Sequence, residues 1–102
     1  MLFSKLKEEF PTLINNSSLL YFDSAASTQT HQSVLDRMNK YYEEERCNVN
    51  RGDFDISRKV SDDLEEARTS VGKLFNVDPN KIMFTTGATQ GLNMVAEWYK
   101  DK

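Results

Sequence analysis

A chain of 102 residues with 13 Lys plus Arg against 16 Asp plus Glu carries a net charge of −3. Its charges interleave, which excludes the basic face that nucleic-acid binding requires. One cysteine, Cys47, and one histidine, His31, exclude an internal disulfide and a structural metal centre on ligand count, and suit a reducing, cytoplasmic compartment.

The apolar share is 38%, whether the four Tyr or the four Gly are counted in it. That is below the ~45–50% of an ordinary globule, and so short a chain buries only about 60–70% of its unfolded surface, so a modest core is expected. The opening "MLFSKLKEEF" places Leu2, Phe3, Leu6 and Phe10 among charges and predicts a short amphipathic helix ending before Pro11. It lacks the unbroken apolar run of a signal peptide or membrane span, and Glu8 and Glu9 balance Lys5 and Lys7, which favours docking on protein over a membrane surface.

"NNSS" (15–18) is a polar turn, and "LLYFD" (19–23) a short run of strand formers ending in an acid. After the small-residue stretch "SAASTQT", a helix is expected from about Ser33 to about Glu45, with Val34, Met38, Tyr41 and Tyr42 on one face. The three consecutive acids of "YYEEER" point around such a cylinder rather than converging on a metal, and read as a solvated helix end. "CNVNRGDFD" (47–55) is a loop. The next helix is signalled by Val60, Leu64, Ala67, Val71 and Leu74 at steps of four, three, four and three, with Ser57 as its N-cap. "NVDPN" closes it, "KIMFTT" supplies a strand, and Gly87 turns the chain into a final helix through Leu92, Val95, Ala96 and Tyr99.

"IMF" (82–84) lacks polar alternation, as in a parallel strand covered on both faces, and such a strand needs neighbours. With one other short strand in the chain, residues 1–102 read as one incomplete segment of a larger α/β architecture, mostly helical with one or two short strands. The alternative is a small α+β domain in which Leu19–Asp23 pairs with Lys81–Thr86.

"FTTGATQGLN" (84–93) sends a strand through a glycine turn into a helix. Such a helix start offers unpaired N–H groups and about half a positive charge to an anion. Gly87 permits close backbone approach, Ala88 adds only a methyl, and the Thr89 hydroxyl can donate a further hydrogen bond. No Lys follows the glycine as in a P-loop, and no second glycine falls at dinucleotide-fold spacing. A plain connection, capped by Thr86 or Thr89, is the other reading of these residues alone.

Taken together, "YFDSAASTQ" (21–29), "NVNRG" (48–52) and "FTTGATQGLN" resemble, in order and spacing, the beginning of the class V aminotransferase group of pyridoxal-phosphate (PLP) enzymes, nearest to cysteine desulfurases of the sulfur-mobilisation type and selenocysteine lyases. The resemblance covers nearly this whole chain but about the first quarter of a family member. It implies the N-terminal portion of the fold type I PLP-dependent transferase architecture, with Gly87, Ala88 and Thr89 at the cofactor phosphate. It also implies substrate contacts around Ala25, Ala26, Asn50 and Arg51, of which Asn50 stands where the family usually has histidine. The structural alternative for Arg51 is pairing with Asp53 or Asp55.

PLP chemistry needs a lysine to hold the aldehyde as a Schiff base, a carboxylate at the pyridine nitrogen and, for desulfuration, a reactive thiolate. The resemblance puts all of these beyond the present region, and none of the eight lysines matches the Schiff-base motif, so no residue here is expected to be catalytic. Cys47 reads as an incidental thiol and His31 as a surface residue opening the second helix. The resemblance thus implies part of a cysteine desulfurase, which takes sulfur from L-cysteine for iron–sulfur cluster assembly, inactive alone. Its partners would be the remainder of the enzyme, a second subunit of a homodimer and a sulfur-acceptor protein. Its rivals are a section of another class V enzyme, such as a transaminase or kynureninase-like lyase, and a truncated, non-catalytic interaction module.

Overall fold

A computed structural model describes residues 2–100, with side chains from residue 5 onward, and divides the chain into two units, Met1–Ser57 and Arg58–Lys102. The side chains of Leu2 and Phe3 lie outside the described set.

In the first unit, α1 (Leu2–Lys7) stops short of Pro11, and α2 (Pro11–Asn15) begins on that proline, whose missing N–H costs nothing at a helix start. The corner between them is tied to α3 (Gln32–Lys40): the Gln32 amide donates to the Glu9 carbonyl at 2.8 Å, and His31 Nε2 shares a 2.5 Å hydrogen bond with Glu9 Oε2. His31 is more than a surface residue, because it caps α3 by accepting from the Ser33 amide and packs edge-on against the Phe10 ring at 5.4 Å.

Past Lys40 the helix widens into a π-turn, Tyr41–Glu45. The expectation of a solvated acidic end fails at its last residue. Glu45 is 4% exposed, with Oε2 at 2.9 Å from Arg37 Nη1 and Oε1 at 3.9 Å from Lys40 Nζ. Each π step brings residue i over i+5, so the turn swings Glu45 back toward these two cations, where a carboxylate is tolerated away from water.

Helix α4 (Asp55–Phe75) opens in the last residues of the first unit and forms most of the second. Ser57 is not its N-cap but its third residue, the helix having started at an acid that suits the positive helix end. On the expected apolar face Val60 is buried, Leu64 and Val71 are half-buried, and Leu74 is 77% exposed. Asn76, in the left-handed region at φ 54°, ends the helix as the Val77 amide reaches back to the Gly72 carbonyl at 2.9 Å. A 3₁₀ turn, Pro79–Lys81, is capped by the Asp78 carboxylate at the Asn80 amide, 2.9 Å away. Helix α5 spans Ala88–Tyr99.

No β-strand occurs among the described residues, which overturns both expected strands. Residues 19–23 are irregular. Ile82 has extended dihedrals, but its segment forms no ladder. Extended apolar runs become strands only where neighbours accept their backbone bonds. Here their side chains face solvent, with Phe22 90% and Met83 67% exposed. Arg68 substitutes in part for a neighbour to the second segment: its guanidinium donates to the Ile82 carbonyl and stacks 5.1 Å from the Phe84 ring centroid. The parallel-sheet architecture is therefore absent, while the helical part of the expectation stands.

Candidate functional site

Local hydrogen bonds set the shape of the small-residue turn. The Ala26 and Ser27 amides both donate to the Asp23 carbonyl, at 3.1 and 3.0 Å, and the Tyr21 hydroxyl closes the stretch by bonding the Asp23 and Ser27 carbonyls. Ala25 and Ala26 consequently lie exposed on a fixed turn.

The loop at 47–54 is shaped by a buried serine. Ser57 is fully inaccessible; its hydroxyl donates to the Asn48 carbonyl at 2.8 Å and accepts from the Gly52 amide at 3.2 Å, drawing both ends of the turn onto α4. A Cβ on Gly52 would lie 2.7 Å from Ser57 Oγ and 2.4 Å from Phe54 Cε1, so only glycine fits this approach. Asn50 sits at the crest with φ 59°, a left-handed conformation that asparagine tolerates better than most residues. Arg51 is exposed and, among the described residues, has no ion-pair partner, so the alternative pairing with Asp53 or Asp55 is not formed. It borders a shallow depression of about 450 Å³ together with Tyr41, Arg46, Cys47, Asn48 and Phe54. Asn50, Ala25 and Ala26 do not line it.

In the second unit the glycine turn is held open. Gly87 has φ 156° and ψ 178°, a region essentially restricted to glycine, and no atom lies within 4 Å of where its Cβ would stand. Residues Thr85–Gln90 are exposed, and no side chain caps α5 at Gly87. Neither Thr86 nor Thr89 serves as the cap. Instead Gln90 reaches back so that its Oε1 accepts from the Thr86 amide at 2.7 Å and from the Thr86 hydroxyl at 3.0 Å, while the Thr85 hydroxyl donates to the Gly87 carbonyl at 3.1 Å. The turn is thus braced from behind, leaving the start of α5 at Ala88 and Thr89 accessible.

Sequence reasoning missed Ser57 as a loop anchor, Arg46 as a companion of Arg51, and Gln90 as a brace. Only Gln90 carried a readable signal, a glutamine three residues past the helix cap. Among the described residues there is no cluster of His, Cys, Asp or Glu able to hold a metal, and no helix long and apolar enough to cross a membrane.

The family profile described as aminotransferase class-V matches residues 20–102, from the first irregular apolar run through the glycine turn and beyond. The chain belongs to the class V aminotransferase family. This family is PLP-dependent. The chain is 38% identical over 101 residues to the putative cysteine desulfurase PbSufS of Plasmodium berghei, covering 98% of this chain and 19% of that protein. It is 36% identical over 96 residues to the cysteine desulfurase SufS of Plasmodium falciparum, covering 93% and 18%. A probable cysteine desulfurase of Vibrio cholerae is 36% identical over 98 residues, covering 92% and 24%. The class V chain described here therefore spans about a fifth of the length of the curated relatives it matches.

Proposed function

We propose that this chain is the N-terminal section of a PLP-dependent cysteine desulfurase, bearing part of the cofactor's phosphate seat and one wall of the substrate pocket, and inactive alone. The observation that carries the reading is the open, glycine-shaped start of α5 within a chain 38% identical to a cysteine desulfurase relative across nearly its whole length.

The residues present fit a phosphate group. Space is clear around Gly87, Ala88 adds only a methyl, and the first N–H groups of a 12-residue helix bring partial positive charge to the tip. In this reading the amides of Ala88 and Thr89 and the Thr89 hydroxyl hold the phosphate oxygens, while the Gln90 brace keeps the turn from collapsing into the vacated space. The chemistry a bound PLP supplies is an electron sink at the α-carbon of an amino acid. Ala25 and Ala26 leave room for a small substrate, and Asn50 and Arg51 contribute polar contacts at its edge. The lysine and thiolate that the reaction needs come from the remainder of such an enzyme or from a second subunit, and a sulfur-acceptor protein takes the product sulfur.

Two measurements test this. Amide shifts of Ala88 and Thr89 are expected to move on titration with pyridoxal phosphate and not with pyridoxal, and to stay still in Gly87→Val. Borohydride reduction of the same mixture is expected to leave no single, stoichiometrically modified lysine. One specific lysine adduct together with sulfide release from cysteine would overturn the inactivity of the isolated chain.

A further inference from the structure

We infer that the depression beside the 47–54 loop is a second anion site, built on Arg46 and Arg51, that takes a small oxyanion of the carboxylate or phosphate class. It goes beyond the reading above by adding Arg46, Asn48 and Tyr41, and it requires neither PLP nor the Gly87 turn.

Two guanidinium-bearing residues line one concavity of about 450 Å³, together with the Asn48 amide and the Tyr41 side chain as further polar groups. Neither arginine is neutralised among the described residues. Arg51 has no ion-pair partner, and Arg46 has only the Tyr42 ring, 5.7 Å from its Cζ. The nearby acid that could quench them is engaged elsewhere, since Glu45 is turned inward onto Arg37 and Lys40. Asp53 and Asp55 do not line the depression. Planar guanidinium forks match carboxylate and phosphate oxygens, and two of them on one wall favour a divalent anion over chloride. The wall is also fixed in advance: Ser57 clamps the Asn48 carbonyl and the Gly52 amide, so Asn48 and Arg51 are displayed from a restrained loop. A restrained loop loses less entropy on binding.

Cys47 lines the same depression and is the only thiol in the chain, which makes it a built-in reporter. The test is the rate at which Cys47 reacts with the dianionic Ellman reagent and with neutral iodoacetamide, in buffers of equal ionic strength containing chloride, inorganic phosphate or malonate. The expected result is that phosphate or malonate slows the Ellman reaction at least threefold relative to chloride, that Arg46→Gln and Arg51→Gln each remove most of this protection, and that both effects vanish in 6 M urea. Protection by phosphate alone or by malonate alone assigns the ligand to the phosphate or the carboxylate class. Equal rates in all three buffers, or protection that persists in both Gln variants, would overturn the site. Either failure leaves the Gly87 seat standing, because that seat is read separately from the Ala88 and Thr89 amides.

Discussion

The two units keep their shape by different means. In the first, polar groups are turned inward: Ser57 is wholly buried between Asn48 and Gly52, and Glu45 is folded onto Arg37. In the second, apolar groups are turned outward, with Leu92 71%, Met83 67% and Trp98 65% exposed around a groove between the 81–85 segment and α5. Hydrogen bonds fix local geometry wherever both partners are nearby in sequence, whereas hydrophobic burial needs surface from elsewhere. The contrast teaches that the loop carrying Arg51 is self-organised by this chain, while α5 and its preceding segment present a face suited to being covered.

That contrast can be broken at four points. The largest effect is expected from Ser57→Val, which leaves the Gly52 amide and the Asn48 carbonyl without their partner at a cost of about 2–4 kcal/mol. Hydrogen exchange at Gly52 should accelerate sharply, with the α5 amides unaffected. Gly87→Ala forces a side chain into a glycine-only conformation and should cost about 1–3 kcal/mol. It would be seen as fraying of the first turn of α5, by chemical shift, with the first unit unchanged. Arg37→Ala strands the Glu45 carboxylate, but Lys40 stays within 3.9 Å and Arg37 is half exposed, so roughly 1–2 kcal/mol is expected, read as faster exchange through Tyr41–Glu45. The smallest effect belongs to Arg68→Met, which releases the Ile82 carbonyl and the Phe84 ring at a cost of about 1 kcal/mol. Its signature is mobility of residues 82–85 with α4 intact. Should Ser57→Val instead loosen both units equally, the separation drawn here would be wrong.

Helices were legible because their signals are local: the four-three spacing from Val60 to Leu74 lies within α4, and Pro11, Asn76 and Gly87 mark element ends by their own backbone limits. The strands were misread because an apolar triplet such as Ile82–Phe84 specifies only a tendency, and the ladder that turns it into a strand is made by other residues. The same limit applied to the candidate site. Gly87 was visible because its role is steric. Ser57 reads on paper like any helix-start serine, and its role as a loop clamp depends on Asn48 and Gly52 coming within about a hydrogen bond of it in space. Arg46 was passed over because pairing it with Arg51 requires the shape of the loop between them.

The π-turn at Tyr41–Glu45 has a consequence for how this region tolerates insertions and deletions. A π-turn holds one residue more than the α-helical turn it replaces, so excising one residue from 42–44 is expected to restore ordinary helical phase. Everything downstream of the cut would then rotate by about 100°, the angle per residue of an α-helix, carrying Arg46 and Cys47 to another side of the cylinder. A single-codon deletion there should abolish phosphate protection of Cys47 while leaving helix content nearly unaltered, a phenotype of angular misalignment rather than unfolding.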